Sequence, residues 1–479
     1  MKVCVSRRVK TDPTLAVVRQ ALEMSRLDVV YADGEDSLGA DAECVLAFAA
    51  SEVDQASTAT ARVDIPIVYV TDKASTVLHA SDQLSEQSAD DLEFVCHLFR
   101  GDSQRGRKVA GWINRQGGPQ WTLAAVLTVL PTLVRRALAD NSLPATSIND
   151  IHDGTAEYAV GRASLMRKAR AALRRMQHAW TLRRWQVGVI GDTSIDELLA
   201  NPNVPLSIRW LNRAPRACFW ADPCSVGDED QRWIFVEELD YRIGHGRIVG
   251  LRVHPDGHLE RHVVLSDGHH RALPRVWRSD GRWLATVDTC QSPAPVFTFD
   301  ALGDEWRPLP GCYLPPLVSD PVVREGVDGW QVTGSLRTEI EDAVCQTWTS
   351  PSGPDFRWTA EDREGRVDIS SARGAGSCDQ GRGVRAVQDC SSTYGAAVSL
   401  IPAPVTGVER VVPIVRLDGS TIATASPRVS GMHTLSWLDD GTFVTTDGWR
   451  ESLHPLAFWR NRKVATPCRA CANESVPSR

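Results

Sequence analysis

Several features that would assign this chain of 479 residues to a class of proteins are missing from it. It has no run of about 18 apolar residues, so no membrane span is predicted. Residues 1–8 have neither a long apolar core nor a cleavage site, and we interpret them as a first β-strand rather than a signal peptide. No Gly-x-Gly-x-x-Gly motif follows that strand and no Walker loop is present, so nucleotide binding by those routes is unsupported. The net charge of −7 gives no indication of nucleic acid or an anionic membrane as the main partner.

The cysteines lack the dense spacing that marks a disulfide-rich secreted domain. Twelve cysteines are scattered along the chain, which favours a reduced, cytoplasmic protein. Cys468 and Cys471 form a single close pair with His454 as the nearest histidine, whereas a structural zinc site needs a second pair of ligands. The sequence therefore predicts neither a metal nor a cofactor.

The first 150 residues alternate strand and helix signals. Four short apolar runs have the character of strands: 2–5, 27–31, 44–49 and 66–70. Residues 13–25 have helical spacing, and the alternation predicts an α/β domain with a parallel sheet over residues 1–150. The apolar stretch 121–138, which contains Pro131, is expected to form strands or a short helix beside that sheet.

Residues 155–184 are predicted to form one long basic helix. Basic residues crowd its polar side: Arg162, Arg167, Lys168, Arg170, Arg174, Arg175, Arg183 and Arg184. Leu165, Ala169 and Leu173 belong to its apolar stripe. A basic helix can bind phosphate or anionic lipid headgroups, but we interpret this one as a solvated linker helix. With the first strand of the following domain it makes up residues 151–200.

From Trp185 onward, short apolar runs alternate with turn signals. The dipeptide Asp-Gly, the strongest short hairpin signal, begins at seven positions: 256, 267, 280, 328, 418, 440 and 447. Its recurrence predicts many antiparallel hairpins, as in a β-propeller or a β-sandwich.

The most unusual segment is 385–395, which reads Arg-Ala-Val-Gln-Asp-Cys-Ser-Ser-Thr-Tyr-Gly. A strand buried on one face alternates apolar and polar residues, whereas this segment groups side chains that form hydrogen bonds, as functional sites do. Other polar motifs lie along the same half of the chain: Phe-Trp-Ala-Asp-Pro at 219–223, Val-Glu-Glu at 236–238, Asp-Gly-His-His-Arg-Ala-Leu-Pro at 267–274, Val-Asp-Thr at 287–289, Ser-Asp-Pro at 319–321, Gly-Met-His-Thr at 431–434 and Thr-Asp-Gly-Trp-Arg at 446–450.

Taken together, these motifs resemble the five-bladed β-propeller family found at the N-terminus of plant glucosamine inositolphosphorylceramide transferases. Bacterial members carry this propeller behind a formyltransferase-like segment. The resemblance covers about 205–450 by motif and 1–200 by layout only. It implies a formyltransferase-like α/β domain over 1–150, a five-bladed propeller over 201–455 and a polar tail over 456–479. The α/β domain shows no Asn, His and Asp constellation beyond the distant His152, so we interpret it as catalytically degenerate.

In a propeller, the inner strands bring residues that are distant in sequence to one mouth of the central channel. Chemistry on a glycosidic bond needs one carboxylate as base or nucleophile and a second carboxyl group with a raised pKa as acid. The predicted catalytic residues are Asp222, Glu238, Asp288, Asp320, Asp389 and His433. The predicted substrate-binding residues are Glu237, His270, Arg373, Gln388, Ser391 and Tyr394. Asp222 and Asp320 precede proline, which predicts an extended backbone at both.

The chain departs from the family pattern at two places. It has Asp288 where relatives have the glutamate of Pro-Glu-Thr, which shortens the reach of the acid. Residues 271–275 stand where relatives have Ser-Tyr-Pro-Phe.

Three functions stay open. The first is an enzyme that transfers or hydrolyses a glycosyl unit on a small-molecule or glycan substrate. The second is a non-catalytic glycan-binding module, which the shorter Asp288 favours. The third is an acyl or formyl transferase that uses the N-terminal domain. A nucleophilic Cys390 would need a basic partner, such as His433 or His270.

Overall fold

The computed structural model describes residues 1–6, 16–25, 27–32, 44–47, 67–72, 91–99, 105–114, 119–139, 143–147, 181–191, 193–211, 214–215, 217–227, 231–289, 291–326, 329–337, 343–351, 357–361, 366–379, 381–403, 410–423 and 429–453. These residues form a mixed β-sheet with helices at the N-terminal end and a ring of five β-sheets after it.

The N-terminal sheet has seven strands within the described residues. They are β1 (Lys2–Ser6), β2 (Asp28–Ala32), β3 (Cys44–Ala47), β4 (Ile67–Asp72), β5 (Asp91–Phe99), β6 (Arg105–Asn114) and β7 (Ala145–Ser147). Their order is β2-β1-β3-β4-β5-β6-β7, with parallel pairing from β2 to β4 and antiparallel pairing from β4 to β7. The first four strands lie where the sequence predicts them.

Two helices accompany this sheet, α1 (Ala16–Met24) and α2 (Pro119–Ala139). Helix α1 confirms the helical spacing of 13–25. The stretch 121–138, expected to form strands or a short helix, is wholly helical, with Pro131 inside α2, so the helix is confirmed and is longer than expected. The helix is continuous because its apolar residues are buried against α1 and the sheet, and this packing outweighs the backbone hydrogen bond that proline cannot make.

The rest of the described chain forms five antiparallel sheets, which we call blades I to V. Blade I contains β10 (Cys218–Gly227), β11 (Arg232–Asp240), β12 (His245–Val253) and β13 (Leu259–Leu265). Blade II contains β14 (Ala272–Ser279), β15 (Arg282–Asp288), β16 (Pro295–Phe299) and β17 (Arg307–Tyr313). Blade III contains β18 (Val318–Gly326), β19 (Gly329–Leu336), β20 (Val344–Ser350), β21 (Thr359–Ala360) and β22 (Arg366–Val367). Blade IV contains β23 (Gly374–Asp379), β24 (Val384–Asp389), β25 (Ala397–Pro402) and β26 (Val415–Asp418).

Blade V is built from both ends of the ring. It combines β27 (Leu435–Trp437) and β28 (Val444–Leu453) with β8 (Thr181–Ile190) and β9 (Ile208–Trp210), and the short helix α3 (Ile195–Ala200) joins the last two. Strands β28 and β8 pair over ten residues, which ties the end of the ring to its beginning. The first strand of each blade contacts its neighbours in the cycle β10, β14, β18, β23, β27 and back to β10. The strand pairing is that of a five-bladed β-propeller.

Strand β8 corrects the predicted linker helix. Residues 155–180 lie outside the described residues, but 181–184 belong to β8 and are not helical. Arg183 and Arg184 have helix-compatible neighbours in sequence, yet their backbone pairs with Glu451 and Arg450 of β28. A pairing partner about 265 residues away decides the local structure, and no local pattern reveals such a partner.

The N-terminal sheet packs on blades III and IV. The backbone N–H of Ile369 donates to the carbonyl of Trp112 in β6 at 3.0 Å. Val367, Ile369 and Cys390 belong to the same buried apolar cluster as the core of the N-terminal sheet. The two parts therefore share one continuous core around the segment that leads into β23.

Two further observations concern the sequence predictions. Among the helices of the described residues, none is long and apolar enough to cross a membrane. Seven cysteines whose side chains are described form no disulfide bond with one another: Cys96, Cys218, Cys224, Cys312, Cys345, Cys378 and Cys390. The pair Cys468 and Cys471, His152 and the tail 456–479 lie outside the described residues.

Candidate active site

Three inner strands of the propeller share a local distortion. In β10, β14 and β18 the residue before a proline has a positive φ, which is 55° at Asp222, 43° at Leu273 and 50° at Asp320. Each residue lies at a β-bulge in the pairing with the next strand of its blade. The extended backbone predicted for Asp222 and Asp320 is therefore wrong, because the bulge overrides the preference that the following proline imposes. A bulge bends the strand and re-aims the side chain.

The amide of each bulged residue donates a hydrogen bond to a carboxylate of the preceding blade. The Asp222 N–H donates to Asp447 Oδ2 of blade V at 2.9 Å. The Leu273 N–H donates to Asp222 Oδ2 at 3.0 Å, and the Asp320 N–H donates to Asp288 Oδ1 at 3.2 Å. Backbone amides thus fix the direction of three carboxylates around the axis, and hydrogen bonds to a charged acceptor are among the stronger ones in proteins.

His433 links two of these carboxylates. Its Nδ1 lies 2.6 Å from Asp447 Oδ2 and its Nε2 lies 3.3 Å from Asp222 Oδ1. The ring is buried and stacks on Trp185 with the centroids 3.8 Å apart. Burial lowers the pKa of His433, but Asp447 and Asp222 outweigh burial, and the net direction is upward. The imidazole is therefore held towards its charged form between two acids.

Asp222, His433 and Asp447 are also the described residues that come nearest to a metal site. One ligand atom from each lies within 4.8 Å of the others. These atoms already bond to one another, and Asp447 Oδ1 also accepts the N–H groups of His433 and Thr434 at 3.1 and 3.0 Å. The set could hold a cation after rearrangement, and the predicted absence of a metal stays a prediction.

Glu237 lies beside Asp222 on the next strand. It pairs with Ala221 across β10 and β11, and its side chain is buried. Its Oε1 has no hydrogen-bond partner among the described residues and lies 3.9 Å from His270 Nδ1. Gly246 makes room for this carboxyl group, since a Cβ there would clash with Oε1. The His270 Nδ1 accepts the Gly246 N–H at 2.9 Å, so this nitrogen carries no proton.

The surroundings of Glu237 favour its protonated form. Burial raises its pKa well above the ordinary value, and the charges of Asp222, Asp288 and Asp447 raise it further. Burial also lowers the pKa of His270, although Asp288 and Asp222 oppose that shift. The surroundings therefore shift Glu237 towards its neutral acid form and His270 towards its neutral imidazole form.

This protonation predicts an unusual pH dependence of stability for Glu237→Gln. The unfolded chain ionises Glu237 near its ordinary pKa of about 4.3, whereas the folded protein keeps the proton. Wild-type stability therefore falls as pH rises from that value towards the raised folded pKa. We expect the glutamine variant to melt at a higher temperature than wild type near pH 7 and at nearly the same temperature near pH 4. Melting curves at both pH values test this, with exposed Glu305→Gln as control. A pH-independent difference would mean that Glu237 ionises normally.

Two arginines complete the wall of the site. Arg337 Nη2 donates to Asp288 Oδ1 at 2.7 Å, and Arg373 Nε lies 2.6 Å from Asp320 Oδ2. The Arg373 guanidinium lies 5.0 Å from the ring centroid of Tyr394. Tyr394 is 43% exposed and meets His433 edge-on. Its ring offers an accessible apolar surface beside the acids.

We call this group the central cluster. Its members are Asp222, Glu237, His270, Asp288, Asp320, Arg337, Arg373, Tyr394, His433 and Asp447. Eight of them are predicted site residues, and the structure brings these eight together. Asp447 and Arg337 are not predicted, and neither is Trp185, which stacks on His433.

Glu238 is not part of the central cluster. Its carboxylate accepts hydrogen bonds from Trp220 Nε1 at 2.9 Å, Arg247 Nη2 at 2.7 Å and Arg261 Nη2 at 2.6 Å. Burial raises its pKa, but these donors outweigh burial and the net direction is downward. Because neighbouring residues of a strand point to opposite faces, Glu237 faces the cluster and Glu238 faces away. The predicted catalytic role of Glu238 therefore conflicts with its position.

Tyr394 of the segment 385–395 belongs to the central cluster, but the side chains of Gln388, Asp389 and Ser391 bond outside it. Asp389 Oδ1 accepts the Ser391 N–H and hydroxyl at 3.0 and 2.5 Å, and Oδ2 accepts Arg416 Nε of the outermost strand at 2.9 Å. Gln388 Nε2 donates to the Gly374 carbonyl at 3.0 Å. The predicted catalytic role of Asp389 and the binding roles of Gln388 and Ser391 at the mouth do not fit these positions. Burial raises the pKa of the Cys390 thiol to about 11, which opposes a nucleophilic role.

Solved structures of other proteins resemble this chain at low sequence identity. No family model matches the chain, and no curated protein matches it. The xylan β-1,4-xylosidase from Bacillus halodurans C-125 is 14% identical with a TM-score of 0.35, and the match covers 52% of this chain and 54% of that one. The α-L-arabinofuranosidase of Podospora anserina in complex with cellotriose is 8% identical with a TM-score of 0.34, covering 56% and 97%. The GH43_1 enzyme from Xanthomonas citri complexed with xylotriose is 12% identical with a TM-score of 0.34, covering 50% and 88%. The chain spans about half the length of the xylosidase. The five-bladed fold of this chain follows from its own strand pairing and not from these matches.

Proposed function

We propose that this protein acts on a sugar-containing substrate at the central cluster, where it transfers or hydrolyses a glycosyl unit. The observation that carries the proposal is the pairing of two carboxyl groups in opposite environments. Asp222 accepts hydrogen bonds from the Leu273 N–H and the Thr434 hydroxyl and contacts His433. Glu237, on the neighbouring strand, has a pKa that burial raises well above the ordinary value, which favours its protonated form. An acceptor carboxylate beside a protonated carboxyl group is the combination that glycosidic bond chemistry needs.

The two groups have complementary tasks in this mechanism. Glu237 gives its proton to the leaving oxygen as the bond from that oxygen to the anomeric carbon breaks. Asp222 either attacks the anomeric carbon, forming a glycosyl ester that water or an acceptor hydroxyl group then cleaves, or takes the proton of the attacking water or hydroxyl group. The two roles differ in stereochemical outcome. The exposed ring of Tyr394 offers a surface for the apolar face of a sugar. Arg337 and Arg373 hold Asp288 and Asp320 in place.

The finer assignments are proposals that rest on the sequence resemblance. We assign the propeller over 201–455 to the family found at the N-terminus of glucosamine inositolphosphorylceramide transferases. We assign residues 1–150 to a degenerate formyltransferase-like domain, joined to the propeller through 151–200. The parallel strands β1 to β4 agree with an α/β domain but do not distinguish a formyltransferase from other α/β folds.

A glycan-binding module is the second candidate, and one observation favours it. Asp288 and Asp320 are each engaged by an arginine, so these two acids are occupied as ion pairs. Such pairs suit a site that orients hydroxyl groups without breaking bonds. The two candidates differ in one result, since only the enzyme releases a product.

Product formation tests the proposal. Wild type, Asp222→Asn and the exposed control Asp300→Asn are incubated with aryl glycosides, oligosaccharides and nucleotide sugars, and products are measured by mass spectrometry. We expect a product with wild type and the control, and a loss of about 10²–10⁴-fold with Asp222→Asn. Sugar binding without any product would support the glycan-binding module. Turnover of a folate-type donor that Asp222→Asn leaves unchanged would move the activity to the N-terminal domain.

A further inference from the structure

Blade IV contains a cavity separate from the central cluster. It has a volume of about 270 Å³ and lies beside the outer strands of the blade. Its lining residues are Ser370, Asp389, Ser399, Ile401, Arg410, Val411, Val412, Pro413 and Arg416. None of the members of the central cluster is among them. The polar segment that stands out in the sequence therefore contributes Asp389 to this cavity and not to the mouth of the propeller.

The cavity has polar groups with unused hydrogen-bonding capacity. Ser399 is 2% exposed, lines the cavity, and its hydroxyl makes no hydrogen bond to any residue in the described part of the chain. Asp389 uses three acceptor positions, on Ser391 and Arg416, out of about four that a carboxylate offers. Arg416 is fixed by Asp389 and by Asp418, which leaves guanidinium N–H groups to donate. These donors and acceptors line the same cavity as the Ser399 hydroxyl.

The other walls and the charge balance restrict the ligand. Val411, Val412, Pro413 and Ile401 form an apolar side. Arg416 forms ion pairs with both Asp389 and Asp418, and Arg410 Nε donates to Ser370 Oγ at 3.4 Å, so both arginines that line the cavity already have partners. Pockets for drug-sized ligands usually begin at ~300 Å³. The cavity is slightly smaller, so it fits a small ligand.

We propose that this cavity binds a neutral polyhydroxyl ligand of monosaccharide size, as a subsite distinct from the central cluster. One face of the ligand packs on the valine and proline side chains. Its hydroxyl groups bond to Ser399, Asp389 and Arg416. The subsite does not depend on the chemistry proposed for Asp222 and Glu237, and it can exist in a protein without turnover.

Ligand-observed NMR with D-glucose, D-galactose and D-xylose tests the subsite on the full chain carrying Asp222→Asn, which impairs the central cluster. Val412 is 81% exposed, so Val412→Trp can cover the cavity without disturbing the core. We expect saturation transfer to at least one sugar, its loss with Val412→Trp, and its retention with Ile243→Trp at an exposed site in blade I. Ser399→Ala removes one hydrogen bond and is expected to weaken binding about fivefold.

Three results would overturn the subsite. The first is no saturation transfer to any of the three sugars in the Asp222→Asn protein. The second is transfer that Val412→Trp leaves unchanged. The third is the loss of saturation transfer to the sugar when inorganic phosphate is added at the same concentration as the sugar. This loss would show that the cavity binds anions. Product formation is measured in a separate experiment. A negative NMR result therefore does not bear on the function of the central cluster, and the absence of a product does not bear on the subsite.

Discussion

Glu237→Gln is expected to slow the release of alkyl leaving groups from a glycoside by about 10²–10⁴-fold, the usual contribution of general acid catalysis. Nitrophenyl glycosides should lose far less rate, because nitrophenolate leaves without a proton. The physical reason is the protonated state that burial and three neighbouring acids impose on Glu237. The measurement is kcat/KM for matched alkyl and nitrophenyl glycosides of the same sugar.

Two controls separate this role from structural damage. Asp222→Asn should slow both kinds of substrate, since it acts on the anomeric centre and not on the leaving group. Glu305→Gln, at an exposed position of blade II, should change neither. If Glu237→Gln slows alkyl and nitrophenyl glycosides by the same factor, Glu237 does not protonate the leaving oxygen. The loss of rate would then come from a change in how the substrate is positioned.

The choice between Glu237 and Glu238 shows what a single sequence can and cannot decide. The pair follows a buried apolar run, and alternation along a strand requires the two side chains to point to opposite faces. Which face meets the axis depends on the pairing of Ala221 with Glu237 and on Arg247 and Arg261 on the other side. That register is set by partners in other strands, so the sequence predicted both glutamates at the site, Glu238 for catalysis and Glu237 for binding, and could not decide which of them faces the axis.

Asp447 was missed for a different reason. It begins an Asp-Gly dipeptide, which the sequence analysis counts as a hairpin signal. Asp440-Gly441 does lie in the turn between β27 and β28, whereas Asp447-Gly448 lies inside β28. The dipeptide marks a hairpin turn at 256, 280 and 440, but a turn residue and a buried acceptor have the same short-range pattern. Only the amides that converge on Asp447 distinguish them.

The sequence contains a repeated pattern at the positions of the three bulges, a residue followed by proline near the start of an inner strand. Ala221-Asp222-Pro223, Ala272-Leu273-Pro274 and Ser319-Asp320-Pro321 occupy the same place in blades I, II and III. Comparing the three tripeptides would have aligned the blades and shown that blade II lacks an acid there. Asp288 instead comes from the end of the second strand of that blade.

Asp447→Ala is expected to be the most destabilising single change in the central cluster. The carboxylate is fully buried and accepts the N–H groups of Asp222, His433 and Thr434 as well as contacting His433 Nδ1. Removing it leaves these donors and a buried imidazole without their acceptor. Breaking a buried ion pair by removing one partner costs about 3–5 kcal/mol. The measurement is the melting temperature, with the denaturant midpoint as a second probe, since a chain of this size need not unfold in two states.

The matched control is Asp440→Ala in the adjacent turn. Asp440 accepts the Thr442 N–H and hydroxyl at an exposed position, so its loss should cost about 1 kcal/mol or less. The pH dependence gives a sharper test. His433 has a raised folded pKa, so its contribution is fully present below its unfolded pKa and is lost as pH rises through the folded value. The penalty of Asp447→Ala should therefore be larger near pH 5.5 than near pH 8.5. Equal penalties at the two pH values would show that Asp447 acts as an acceptor of backbone amides and not as the counter-ion of His433.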